Sequence, residues 1–130
     1  MDILVTNNPL VQSQEQTKFR IDYLDTDLLG VLTYVRDMIH RGHSLLTHPL
    51  SGSVKPNESP YKSILLTGLQ AKSDLQTNSK MQYETDFSSV EIIENCILTA
   101  QKFPQRSFPE QHLHDMQTID LTLIQTALMV

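Results

Sequence analysis

The apolar run Ile3-Leu4-Val5 constrains the fold more than any other segment, because it is short, uninterrupted and closed by Asn7-Asn8-Pro9. A continuous apolar run bounded by turn-forming residues is typical of a strand that is buried on both faces. Such strands occur mainly in parallel sheets that are covered by helices on both sides. The run therefore predicts a short sheet inside a layered α/β fold.

The rest of the sequence alternates between strand and helix patterns. Strands are predicted over 19–24, where apolar and polar residues alternate, and over 44–47 and 63–67. Helical spacing predicts a helix from about Leu28 to Gly42 and two more that begin near Ser88 and Ser107. We expect one α/β domain over residues 1–130, three-layer-like, with a short, mainly parallel sheet of about four strands and three main helices. The polar stretch 70–86 is predicted to be a mobile excursion.

Composition excludes several classes of protein. The net charge of −5 and the lack of a basic tract disfavour binding to nucleic acid or an anionic membrane. The single cysteine, Cys96, excludes an internal disulfide framework. The sequence MDILVTNNPLV lacks a basic region, and its apolar stretch is too short for a signal peptide. No apolar run approaches the ~20 residues that span a bilayer. We expect a cytoplasmic protein without a cofactor.

The run from His40 to Leu66 concentrates histidines, lysines, prolines and a Ser-Gly-Ser triplet between two apolar segments. This pattern is typical of a shaped loop, and binding sites commonly lie on such loops. Glycine admits close backbone approach, hydroxyls donate and lysines supply charge, which together favour a small, phosphate-like anion. A long surface loop that is fixed by proline and serine turns is the alternative.

Ligands in α/β sheets gather beyond the carboxyl ends of strands, and polar residues follow the predicted strands as Thr6-Asn7-Asn8, Thr47-His48-Pro49 and Thr67-Gly68. The amides of Asn7 and Asn8 either contact a ligand or form a turn. The predicted ligand-binding residues are Asn7, Asn8, His48, Ser51, Gly52, Ser53, Lys55, Asn57, Lys62 and Ser63.

Catalytic and metal signals are weak. His40 and His43 have helical spacing, but Gly42 is expected to end the helix between them, so we predict no metal site. His48 is the one candidate for acid–base chemistry, against the alternative that its ring is hydrogen-bonded within the loop. Cys96 is expected to be a small buried apolar residue. These observations favour a binding protein over an enzyme.

The last predicted helix becomes apolar nearly all round from Ile119 onward. Such a helix either packs across the sheet or meets another subunit. We therefore consider a homodimer through the C-terminal helix, and an assembly role for the protein, alongside intrachain packing.

Three segments, ILVTNNPLV, VRDMIHRGHSLLTHPLSGSVKPNESPYKSILL and DFSSVEIIENCILTA, resemble the GrdX family, small proteins encoded beside glycine reductase genes in amino-acid-fermenting anaerobes. The resemblance covers roughly the whole chain and is most distinctive over residues 35–66. It implies a cytoplasmic accessory protein in glycine, sarcosine or betaine reduction, a pathway that makes acetyl phosphate. It implies no catalytic residues.

Three hypotheses therefore stand together. In the favoured one, the 40–66 loop of an accessory protein binds a small anion or docks a glycine reductase component. In the second, a small enzyme acts on a phosphorylated or carboxylated metabolite, with Lys55 and Lys62 as anion clamps and His48 as proton carrier. In the third, the protein is an oligomeric assembly factor.

Overall fold

The computed structural model describes residues 1–50, 55–69, 84–104 and 106–128. These residues form three strands and four helices in the following order: β1 (Asp2–Thr6), α1 (Pro9–Gln12), β2 (Phe19–Tyr23), α2 (Leu28–His40), β3 (Ser63–Leu66), α3 (Phe87–Gln101) and α4 (Glu110–Leu128). The predicted α/β class with three main helices is confirmed, and the described sheet has three strands where about four are predicted. The predicted excursion falls mostly on residues 70–83, which lie outside the described residues.

β1 is the central strand of the sheet, whose order is β2-β1-β3. β2 runs parallel to β1, with Asp2 opposite Phe19. β3 runs antiparallel to β1 and places Ser63 opposite Thr6. The sheet thus combines one parallel and one antiparallel pair. The antiparallel pair brings the start of β3, and the loop before it, to the carboxyl end of β1.

The segment predicted as a strand over 44–47 contributes one isolated bridge, between Leu45 and Leu66. Beyond that bridge, Thr47 Oγ1 accepts from the Leu65 N–H at 3.0 Å, so a side chain replaces a backbone partner. His48-Pro49 follows directly, and proline cannot continue a ladder as a donor. The segment therefore pairs with β3 through a single bridge and does not form a strand of its own.

Side chains of β1 alternate between two apolar layers, as strand geometry requires. Ile3 and Val5 pack with residues of α2 and α3 on one face. Leu4 packs with Val11 and Ile124, from α1 and α4, on the other. Helices therefore cover both faces of the sheet, which confirms the three-layer arrangement that the apolar run at residues 3–5 predicts.

α2 ends where the sequence predicts. Gly42 has a positive φ of 113°, which only glycine adopts without strain. The Gly42 N–H donates to Ile39 O at 3.1 Å and the His43 N–H donates to Met38 O at 3.2 Å. This pair of bonds is a Schellman motif. It turns the chain toward the bridge at Leu45.

The apolar residues of α4 have two different intrachain contacts. Leu121, Ile124 and Leu128 belong to the apolar layer on the sheet. Ile119 and Leu123 instead line a cavity beside the residues that precede β3. Part of the apolar surface of this helix therefore has partners within the chain, while Ile119 is 48% exposed. A homodimer through α4 remains a prediction.

Candidate functional site

A buried polar network closes the carboxyl end of β1. Thr6 Oγ1 and Ser63 Oγ lie 2.7 Å apart, across the antiparallel pair. The Ser63 hydroxyl donates to Asp120 Oδ2 of α4 at 2.8 Å. The Asn8 amide donates to the same oxygen at 3.0 Å and to the Gln117 carbonyl at 2.9 Å. The network fixes α4 against the sheet at the edge where a ligand is expected in this fold class.

Asn7 holds the loop that precedes β3. Its Nδ2 donates to Pro60 O at 2.7 Å and to Thr26 O at 2.9 Å. Its Oδ1 accepts from the Lys62 N–H at 2.9 Å. The Asn8 side chain is engaged as well, since its Oδ1 accepts from the Leu10 N–H and so caps α1. Both amides thus position the chain; ligand contacts by them remain a prediction.

Residues 55–62 and α4 enclose a cavity of about 310 Å³. Charged side chains from both elements line it, and Leu28, Met116, Ile119 and Leu123 supply apolar wall. The charged lining residues are Lys55, Glu58, Lys62, Asp115 and Asp120. A cavity of this size takes a small molecule, and the mixture of apolar wall with a few charged groups is typical of ligand sites.

Lys62 is a partly buried cation in the lining of this cavity. Burial lowers the pKa of its ammonium group, and the charge of Asp120 partly opposes that effect. Within the described part of the chain, the only ion pairs are Arg20–Asp22 and Arg36–Glu94, so Lys62 has no carboxylate within 4.0 Å. A desolvated cation that lacks a close counterion favours the binding of an anion.

His48 lies at a smaller, second cavity that Lys62, Ser63 and Asp120 also line. Its Nδ1 accepts a hydrogen bond from the Leu50 N–H at 3.1 Å. The neutral ring in this arrangement carries its proton on Nε2. The structure therefore brings together five of the predicted site residues, Asn7, Asn8, His48, Lys62 and Ser63, around the start of β3.

The other predicted residues are placed differently. Lys55 lines the large cavity but is exposed. Asn57 lies in the adjacent turn, with a buried Oδ1 that has no hydrogen-bond partner among the described residues. Ser51, Gly52 and Ser53 lie outside the described residues. Thr67 and Gly68 lie at the other end of the strands, because β3 runs antiparallel to β1 and its last residues lie beside the start of β1.

The histidines near the end of α2 do not join this site. His43 is buried, and its Nδ1 lies 2.8 Å from Thr67 O, at the other end of the strands. His40 is exposed. Across residues 1–50, 55–69, 84–104 and 106–128, no three His, Cys, Asp or Glu side chains are grouped as metal ligands.

Cys96 is buried in the apolar layer that α2 and α3 form on the sheet, as expected from its helical position. Burial raises the pKa of its thiol, while a hydrogen bond with the Leu50 backbone and the charge of Lys62 act in the opposite direction. A thiol whose pKa is raised is a poor nucleophile. Cys96 is therefore part of the core.

Asp120 is the main site residue that the sequence analysis did not identify. It is only 6% exposed. Its spacing offers a signal: Asp120 is four residues from Ile124, which is buried against the sheet, and residues four apart share a helix face. The apolar character of the surrounding helix obscured this carboxylate.

No helix in the described ranges has both the length and the apolar character needed to cross a bilayer. Neither a curated protein nor a solved structure matches the chain. The sequence does match the GrdX-like protein family over residues 3–129, which is nearly its whole length. The chain therefore belongs to the GrdX-like protein family.

Proposed function

We propose that this protein is an accessory protein of glycine, sarcosine or betaine reduction that binds a small anion at Lys62, in the cavity between residues 55–62 and α4. The metabolic context comes from the family. The single observation that carries the binding proposal is the Lys62 ammonium group, which is partly buried at a cavity and has no carboxylate within 4.0 Å in the described chain. An anion would offset the cost of that burial.

The rest of the cavity limits the charge of the ligand. Glu58, Asp115 and Asp120 all line it and repel a highly charged anion. One oxygen of Asp120 is already occupied, since its Oδ2 accepts hydrogen bonds from Ser63 and Asn8. Singly or doubly charged anions such as acetate, phosphate or acetyl phosphate fit these charges better than polyphosphates. The apolar wall accommodates an uncharged portion such as a methyl group.

The two lysines of the sequence hypothesis, Lys55 and Lys62, differ in their exposure to solvent. Lys62 is partly buried and its backbone is held by Asn7, so little conformational entropy is lost when it meets a ligand. Lys55 is exposed at the rim. We assign Lys62 the main role and expect Lys55 to contribute through charge alone.

The test is isothermal titration calorimetry and thermal unfolding with phosphate, acetate and acetyl phosphate at constant ionic strength. A ligand at one hundred times its Kd stabilises a protein by about 2.7 kcal/mol, which is several degrees in Tm for a chain of this size. Lys62→Gln should abolish binding. Lys18→Gln, at an exposed lysine outside the cavity, is the matched control and should bind as the native protein does.

Unchanged anion binding by Lys62→Gln would show that Lys62 is not part of the binding site. The absence of any heat or Tm shift with all three anions would contradict the anion proposal and favour a protein component as the partner of this loop.

A small enzyme is the second candidate, because His48 shares the smaller cavity with Lys62, Ser63 and Asp120. In that case a phosphorylated or carboxylated substrate would be held by Lys62, and His48 would transfer the proton. Phosphate release from acetyl phosphate and water, with acetate as the other product, is the first assay. His48→Gln should remove turnover while leaving affinity for phosphate within about twofold. Equal turnover in both proteins would exclude this role for His48.

A further inference from the structure

β2 forms one border of the sheet, with β1 on its inner side and no strand of the described residues on its outer side. The Leu24 N–H donates to Thr6 O at 2.9 Å, so Leu24 has its backbone directed at β1. Backbone direction alternates along a strand, and therefore Phe19, Ile21 and Tyr23 direct their N–H and C=O groups outward. An outward edge of this kind is a template for another strand.

The outer edge has a sequence that is complementary to itself. Phe19-Arg20-Ile21-Asp22-Tyr23 places an aromatic residue and a charged residue on each side of Ile21, and the two charges are opposite in sign. In an antiparallel pair of two such strands with a twofold axis at Ile21, each Arg20 faces Asp22 of the other copy. Each Phe19 then faces Tyr23, and both pair types stabilise sheets.

Neighbouring registers lack this complementarity. A shift by two residues in either direction places Arg20 opposite Arg20, or Asp22 opposite Asp22, and like charges directly opposite destabilise a sheet. In the single chain, Arg20 and Asp22 pair with each other at 2.9 Å, and the Arg20 side chain remains 58% exposed. The Arg20 guanidinium is thus on the surface, while the Asp22 side chain is 16% exposed and also accepts from the Tyr34 hydroxyl. A second copy would therefore exchange the Arg20 partner of Asp22 and leave the Tyr34 bond in place.

We propose that a second copy of this chain docks on the outer edge of β2, antiparallel and about a twofold axis at Ile21. The product is a continuous six-stranded sheet in which both copies use the same surface, as closed dimers require. Outward backbone groups of Ile21 then bond to those of Ile21 in the other copy.

The apolar groove beside β2 supports this occupant. Phe19 and Ile21 line the β2 side of a groove of about 970 Å³ that crosses the sheet to Leu65 of β3 and that Leu121 and Leu128 of α4 also line. A second strand at the same edge would extend the floor of the groove with a second Phe19 and Ile21. Apolar surface that is partly open in one copy would be covered in the pair.

Gln16 occupies one end of this edge in the single chain. Its Nε2 donates to Phe19 O at 2.7 Å and its Oε1 accepts from the Phe19 N–H at 3.0 Å. The amide thus bonds both outward backbone groups of Phe19, as a neighbouring strand would. In the dimer, Tyr23 of the second copy replaces it, so docking exchanges these bonds.

The test is sedimentation velocity on the native protein, on Arg20→Glu, on Asp22→Arg and on an equimolar mixture of the two variants. We expect a dimer for the native protein and monomers for each variant alone, since each variant places like charges opposite each other. The mixture should form a heterodimer, because the introduced glutamate of one chain then faces the introduced arginine of the other. The native Asp22 of the first chain likewise faces the native Arg20 of the second. Mixing the two variants cannot restore the ion pair within either chain. Recovery of a dimer in the mixture would therefore report contact between the chains.

Arg36→Glu, at the distant pair with Glu94, makes the same change in charge and should remain dimeric. Circular dichroism checks the fold of each variant. Asp22→Asn is the milder alternative, because it keeps an acceptor for the Tyr34 hydroxyl, and it should weaken dimerisation by roughly tenfold. A native protein that stays monomeric at about 100 μM, a concentration above the Kd of a specific interface, would overturn the proposal. Dimers that persist in both single variants would also overturn it.

Discussion

The Asn8 amide donates to Asp120 Oδ2 at 3.0 Å and so joins residues that are 112 positions apart in the sequence. The same oxygen accepts from the Ser63 hydroxyl at 2.8 Å. One carboxylate therefore connects the turn after β1, the first residue of β3 and the middle of α4. The wall of the proposed anion cavity depends on this junction, since Asp120 and Lys62 line the cavity from opposite elements.

Asp120→Ala is expected to lower the free energy of unfolding by about 2–3 kcal/mol, because it leaves buried donors with fewer acceptors. Asp120→Asn keeps one oxygen in place and should lose about half as much. Urea unfolding followed by circular dichroism measures both. Asp115→Ala, at an exposed carboxylate on the same helix, is the control and should change stability by less than about 0.5 kcal/mol. Equal losses at the two positions would show that the network does not hold α4.

Asn7→Ala should loosen the loop that carries Lys62. The substitution removes the acceptor of the Lys62 N–H at 2.9 Å and the donor to Pro60 O at 2.7 Å. We expect a loss of about 2–3 kcal/mol in unfolding free energy, since Asn7 is buried and its partners are left unsatisfied. The Lys62 amide should also exchange its hydrogen faster, which NMR measures directly. Slow exchange in the variant would mean that other contacts hold the loop.

Much of the fold follows from local patterns, while the direction of β3 does not. The apolar run at residues 3–5 indicates a strand buried on both faces, and the structure places helices on both sides of it. The apolar pattern at residues 63–67 likewise marks β3, but such a pattern predicts a strand without its direction. The antiparallel pairing depends on how residues 55–62 return over the carboxyl end of β1. That path is set by tertiary bonds such as those of Asn7.

Only part of the site could be predicted from the sequence. Asn7 follows the carboxyl end of β1, where ligands gather in α/β sheets, and Lys62 and Ser63 belong to the polar run that precedes and begins β3. Asp120 stands in an apolar helix, where a single carboxylate is usually solvent-exposed. Only the packing of α4 on β1 brings it to Ser63 and Asn8. Sequence spacing alone cannot specify which turn of a helix meets a strand that is more than a hundred residues away.

Asp86 is expected to stabilise α3 in a pH-dependent way. Its side chain accepts from the Ser88 N–H at the start of the helix and from the Ser89 hydroxyl at 2.7 Å. The hydrogen bond from Ser89 is the main cause that lowers the pKa of Asp86 below its ordinary 3.8. A carboxyl whose pKa is lowered on folding stabilises the fold above its unfolded pKa, and this contribution is lost as pH falls through the folded pKa.

Asp86→Ala should therefore cost about 1 kcal/mol at pH 7, the usual value of a helix N-cap. Asp86→Asn preserves the cap and should cost less at neutral pH. The advantage of the native protein over Asp86→Asn should shrink as the pH is lowered below the ordinary carboxyl value of 3.8. Urea unfolding at several pH values gives these differences. If the difference in unfolding free energy between the native protein and Asp86→Asn stays constant across the acid range, the charge of Asp86 does not contribute to stability.

Lys62 should destabilise the protein when no anion is bound. Burial lowers the pKa of its ammonium below the ordinary 10.5, with Asp120 opposing the shift. Between the folded and the unfolded pKa, the unfolded chain binds more protons, so the free energy of unfolding rises with pH in that window. The penalty is complete below the folded pKa and disappears as pH passes the unfolded value.

Lys62→Met keeps most of the length of the side chain and removes its charge, so it should be more stable than the native protein at pH 7. That gain should shrink as the pH approaches 10.5, where the native lysine is also neutral. Saturating phosphate should reverse the order at pH 7, because it stabilises only the native protein. Lys18→Met, at an exposed lysine, should show neither effect. If Lys62→Met is less stable than the native protein at pH 7, the ammonium group is already satisfied within the chain, and Lys62 has no uncompensated charge to offer an anion.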